Sequence, residues 1–196
     1  MQENRNSSDE FIFSLVNIQY GYIAHCIATS NHKEALKYLV LAENNLRQIE
    51  MTNYNPSVVK SYKSAFFSFR AVLDGKTALN SVMSALDFAE KAIKEDSTNY
   101  FGFLQRGNIY RHSPVAFNGS KQKAIVCYLK AESLLLKDII SKKNWNYMHL
   151  LVTITETYIE VNDFKEAAIY FDKILKLEPG FYKLNDELGP KIKTAK

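Results

Sequence analysis

Glycine and proline are scarce in this chain of 196 residues, at 7 and 4 positions, which excludes collagen-like and low-complexity architectures. Cysteine is scarcer still. Cys26 and Cys127 stand far apart with no CxxC or Cys/His spacing, so neither a disulfide framework nor a zinc module is encoded, and both are expected as small core residues. Charge of one sign is also missing: Lys+Arg 25 against Asp+Glu 21 leaves +4, spread along the chain rather than gathered into the basic stripe of a nucleic-acid binder. The basic cluster Lys191, Lys193 and Lys196 reads as a solvated tail. A mean hydropathy of −0.24 without a long apolar run leads to the expectation of no integral membrane segment. What is present is 46% hydrophobic residues, enough to build a real core.

Apolar residues recur at helical spacing almost throughout, and strand alternation is absent, so the fold is expected to be all-α. A first helix is expected from Ser8 or Asp9, either of which can cap it, to Thr29, with Phe11, Leu15, Ile18 and Tyr22 as its apolar stripe. Ser30-Asn31-His32 turns the chain into a second helix reaching Met51, with Leu36, Leu39, Val40 and Leu46. Pro56 suits the first turn of a third helix, which Asp74-Gly75 ends. A fourth, from Thr77 to Asp96, is expected to point Leu79, Val82, Met83, Leu86, Ala89 and Ile93 inward. A fifth covers Asn99 to His112 and precedes a loop from Ser113 to Ser120. A sixth then runs to Ser141, a turn follows at Lys142-Lys143-Asn144 with Asn144 as cap, and further helices cover Trp145–Val161 and Asp163–Leu177. A short ninth, Phe181 to Leu188, is expected to stop at Gly189-Pro190.

Helix pairs of similar length invite comparison with the 34-residue tetratricopeptide (TPR) pattern. Leu151, Ile154, Thr155, Tyr158, then Asn162-Asp163-Phe164-Lys165-Glu166-Ala167, Phe171 and Pro179 fit its spacings. Phe103, Arg106, Gly107, Tyr110, then Ala124, Tyr128 and Ala131 fit with an insertion between the helices. Ala85, Ala89, Ala92 and Ile93, and upstream Ser30, Asn31, Glu34, Ala35, Leu39 and Ala42, match more loosely. The chain therefore resembles the TPR superfamily. Its segments Asn99–Tyr110, Ser113–Lys121 and Asn144–Tyr147 resemble a bacterial, often exported TPR group, distantly similar to the TPR lipoproteins of TRAP-type transport systems. That resemblance implies a right-handed superhelix of antiparallel helix pairs with a C-terminal capping helix. The corresponding division is a flexible lead 1–8, one repeat domain 9–189 (pairs 9–51, 56–96, 99–141 and 145–178, cap 181–188) and a basic tail 190–196. It also implies a periplasmic or exported location in preference to the cytoplasm. A polar Met1–Asn6 lead agrees with a trimmed mature form.

No catalytic constellation emerges. His25, His32, His112 and His149 lie in separate elements, with no H-E-x-x-H motif and no phosphate loop, so no enzyme, metal or cofactor is expected. In Asn118-Gly119 the turn-forming role outweighs the glycosylation sequon. Because the first helices of TPR pairs line a concave groove, the resemblance places candidate partner-binding residues at Tyr20, Arg70, Leu104, Asn108, Arg111, His149 and Glu156, with Val152 beside them. Arg70 and Arg111 can fork onto a carboxylate, and Asn108 can pair with an extended backbone. The expected function is a scaffold that binds a protein or peptide partner; the alternative is a small-molecule or lipid-binding accessory of bacterial envelope transport.

Overall fold

The computed structural model describes residues 2–137, 145–181 and 184–193. Among them there are nine α-helices and no strand: α1 Gln2–Ala28, α2 His32–Thr52, α3 Pro56–Leu73, α4 Ala78–Glu95, α5 Tyr100–His112, α6 Lys121–Leu135, α7 Trp145–Glu160, α8 Phe164–Leu177 and α9 Gly189–Lys193. The expected end of α6 at Ser141 and the turn capped by Asn144 fall outside the described residues. The chain forms two compact units, Met1–Gln105 and Arg106–Lys196, with the division inside α5.

In the first unit, α1 lies against α2 and α3 against α4. Short turns impose antiparallel pairing, and positive-φ residues make those turns: Ser30 at 59° and Asn53 at 57°. Asn55 caps α3 by accepting from the Val58 amide at 3.4 Å, and Pro56 occupies the first turn as expected. α3 and α4 approach closely because their facing side chains are small. Ser57 and Ser64 on α3 donate to the Ala92 and Ala85 carbonyls at 2.9 and 2.7 Å, and Ala85, Ala89 and Ala92 are fully buried. Asn99 then locks the start of α5, donating to the Ser57 and Ser61 hydroxyls and accepting from the Phe101 amide. An aromatic cluster fills the space between α1 and α3: Tyr20 stacks on Phe69 with centroids 5.5 Å apart, and Tyr62 lies 4.7 Å from Phe101.

Two expectations about this unit are corrected. Helix α1 starts at Gln2, so Asp9 lies inside the helix and is buried rather than capping it. Its inward stripe is Val16, Tyr20, Ile23 and Cys26, whereas Phe11 is 70% exposed, Ile18 64% and Tyr22 40%. Likewise Leu36 and Val40 on α2 and Leu79 and Met83 on α4 are exposed. On α4 the neighbouring helix sits over the small residues Ser81, Ala85, Ala89 and Ala92, and the larger apolar side chains of the adjoining face stay outside. The segment Ser8–Ala28, with a mean hydropathy of 1.3, is also long and apolar enough to cross a membrane, a local feature that the whole-chain average conceals.

In the second unit, the Tyr128 ring of α6 packs directly against Gly107 of α5. The connection between them is a turn at Val115–Phe117, with Asn118 in the left-handed region at φ 65° and its side chain accepting from Lys123 Nζ at 2.6 Å. Gly119 is required there, since a Cβ would fall 1.8 Å from the Ser113 carbonyl oxygen. Ser120 caps α6, and Asp163 caps α8 by accepting from the Glu166 amide. α7 is the most enclosed helix of the unit, with Leu150, Leu151, Ile154, Thr155 and Thr157 inaccessible to solvent. Cys26 and Cys127 are free and buried, as expected. The chain does not stop at Gly189-Pro190: a π turn, Leu184–Leu188, runs into α9 there. Leu188 and Ile192 are buried; the side chains of Tyr182 and Leu184, within the expected cap 181–188, lie outside the described residues.

Candidate functional site

Of the residues proposed from sequence, Tyr20, Arg70 and Leu104 belong to the first unit. Tyr20 is 3% exposed within the aromatic cluster and accepts from Gln105 Nε2 at 3.3 Å; burial raises its phenol above the ordinary value. Leu104 is 1% exposed. Neither presents a surface to a partner, because the turn of α1 and α5 that buries their cores carries these positions inward. Arg70 holds Glu43 on α2 with two parallel bonds, Nε to Oε1 at 2.6 Å and Nη2 to Oε2 at 2.5 Å. The hydrogen bond to Glu43 raises the Arg70 guanidinium above its ordinary value. Its fork is already filled by a carboxylate of the same chain.

The remaining four lie in the second unit, where the structure brings Arg111 and Glu156 into direct contact. Arg111 Nη2 donates to Glu156 at 3.1 Å and to Glu160 at 2.6 Å, and Lys121 Nζ lies 3.3 Å from the other Glu160 oxygen. Burial by itself would raise the Glu160 carboxyl, but the hydrogen bonds and charges of Arg111 and Lys121 outweigh it and hold the group below the usual glutamate value. Only 9% of the Arg111 side chain is exposed, so this cluster ties α5 to α7 rather than offering a vacant fork. Asn108 Oδ1 accepts from the Tyr128 hydroxyl at 2.9 Å, and the His149 ring lies 6.4 Å from Trp145. Val152 is buried.

A cleft of ≈ 420 Å³ opens within the first unit on a different set of residues. Its floor is Leu46 of α2, Phe66 and Phe67 of α3, and Phe88 of α4; Phe67 and Phe88 are stacked, with centroids 5.6 Å apart and planes 10° from parallel. Its rim alternates in charge. Glu43 is held by Arg70, Glu50 is ion-paired with Lys63, and Lys63 Nζ also sits 5.3 Å over the Phe88 ring. Arg47, between the two glutamates on α2, is exposed and has no ion-pair partner among the described residues. Sequence reasoning reached only Arg70 of this set. The signal available for the rest was the Phe66-Phe67 pair: adjacent helical positions cannot both sit at the centre of one buried stripe, so one of the rings must lie on its flank.

Among the described residues no group of three or more His, Cys, Asp or Glu side chains could hold a metal ion. The chain matches no protein-family model and no curated protein sequence.

Proposed function

We propose that this chain is a non-catalytic helical-repeat scaffold of the TPR-like superhelical kind that recognises a protein or peptide partner. The observation that carries this reading is the cleft across α2, α3 and α4, which joins an aromatic floor to a charged rim and is open to solvent. Ligand sites are typically concave, largely apolar and furnished with a few placed polar groups. An open, charge-rimmed cleft supports a peptide segment over the sealed apolar cavity that a lipid or small-molecule carrier needs. The close Gly107–Tyr128 contact and the Ala85-Ala89-Ala92 face are the small-residue contacts that a repeat of helix pairs requires, and they support the superhelical reading. The envelope location follows from the sequence resemblance alone.

Affinity capture from native cells tests the binding function, with the parental chain compared against Arg47→Glu. Because Arg47 is exposed and makes no ion pair among the described residues, the variant is expected to melt as the parent does while losing the captured protein. A partner retained at parental yield refutes the cleft as its seat. Capture of a small apolar molecule in place of a protein, seen by native mass spectrometry, turns the reading to the transport accessory. Recovery of the native chain in the cytoplasmic fraction overturns the envelope placement.

A further inference from the structure

The rim geometry of the α2–α4 cleft selects among peptides. Glu43 and Glu50 flank Arg47 on α2, four residues before it and three after, so both stand within a turn of it and could pair with it along the helix. Neither does so. Arg70 draws Glu43 toward α3, and Lys63 does the same for Glu50. The cleft is thereby left with three cations against two carboxylates, and the surplus positive charge is localised on one exposed guanidinium at its mouth.

We infer that the cleft recognises an acidic–apolar peptide segment, in which a carboxylate docks on Arg47 and a neighbouring bulky aliphatic or aromatic side chain rests against the half-buried Phe67 and Phe88. This rests on the scaffold reading above and names its ligand class. A carboxylate fits the planar guanidinium fork with two parallel bonds, as Glu43 already does on Arg70. The two glutamates of the rim disfavour a polyanion such as a nucleic-acid backbone, and the surplus of one cation matches one carboxylate. Phe67 and Phe88 already face one another at stacking distance, so no planar base inserts between them. The volume of ≈ 420 Å³ holds one large side chain with its flanking backbone and is near the lower end of ligand pockets, roughly 300–1,000 Å³.

The test is selection by the full chain from a randomised synthetic peptide library, followed by fluorescence polarisation on individual labelled peptides. The expected winners carry Asp or Glu within two residues of Leu, Phe or Trp. For those peptides Arg47→Glu is expected to weaken binding by about tenfold to a hundredfold, the value of a charge-assisted hydrogen bond, while Arg47→Lys retains most of it and added salt weakens the parent. Replacing the acidic residue of a winning peptide by Lys is expected to restore its binding to Arg47→Glu. Selection of basic or uncharged peptides that still compete with the captured native partner overturns the acidic–apolar class and leaves the scaffold reading standing. Acidic–apolar peptides bound equally by the parent and Arg47→Glu overturn the docking on Arg47. An absence of any selected peptide, together with native capture unaffected by Arg47→Glu, overturns the acidic–apolar class and the cleft as the partner's seat, and leaves the scaffold reading standing on the captured partner.

Discussion

Replacing Gly107 by alanine sets two opposing effects against each other, and the structure decides between them. Within a helix, alanine is favoured over glycine by about 1 kcal/mol, so on helix propensity alone the change stabilises α5. The added Cβ, however, falls 2.4 Å from Tyr128 Cε1 and 2.7 Å from Cδ1, distances at which one of the groups must move. The Tyr128 ring is fully buried, and its hydroxyl is tied to Asn108 at 2.9 Å, so it cannot swing away freely. Overpacking of a filled core costs about 1–3 kcal/mol, and breaking the hydroxyl bond adds about 0.5–1.5 kcal/mol. The net expectation is a loss of about 1–3 kcal/mol, each kilocalorie lowering Tm by about 2–4 °C, and Gly107→Leu is expected to lose more. Denaturant unfolding followed by circular dichroism provides the measurement. Gly75→Ala is the control, since nothing lies within 4 Å of its would-be Cβ. Trimming the ring in Gly107→Ala/Tyr128→Leu should make the double mutant less unstable than the sum of its parts. A Gly107→Ala protein as stable as the parent, or more so, would refute the contact between α5 and α6.

Arg111→Ala is expected to destabilise the second unit by about 1–3 kcal/mol, because it strands the partly buried Glu156 and Glu160 carboxylates; unchanged denaturant unfolding would return Arg111 to the list of free binding groups. Glu160 and Asp96 are both held below their ordinary values, Asp96 by the side-chain and backbone hydrogen bonds of Thr98. The unfolded chain therefore binds their protons more readily, so their contribution is complete above the unfolded values of 4.5 and 3.8 and is lost as pH falls through the lower folded values. Melting as a function of pH should show that acid loss, and Glu160→Gln should flatten part of it; an identical profile in the variant would count against the ion cluster. Truncation from Gly180 onward should lower stability, since Leu188 and Ile192 are buried and each such side chain contributes about 1.5–3 kcal/mol; a truncated chain melting with the parent would show that α9 is dispensable.

The helices and the breaks between them were legible in the amino-acid sequence because both are local. Ser30-Asn31, Asn55-Pro56, Asp74-Gly75, Asn118-Gly119 and Asn162-Asp163 act through their own φ angles and capping oxygens, and the structure uses them as turns or caps. Gly107 was expected as a small position from the resemblance, and the structure sets Tyr128 of α6 against it. What sequence periodicity could not supply was direction. A 3.6-residue period shows that a helix has an apolar face, but α1 carries two, Phe11-Leu15-Ile18-Tyr22 and Val16-Tyr20-Ile23, and only the arrival of α2 and α3 chose the second. The same holds for charge. Arg70, Arg111 and Arg47 are alike as letters; two are occupied because Glu43, Glu156 and Glu160 reach them from other helices, and the third is left exposed because both of its helical neighbours are drawn across the cleft. Local conformation is set by the residue and its nearest neighbours along the chain, whereas burial and pairing are set by which helices meet, and that was decided only in the tertiary structure.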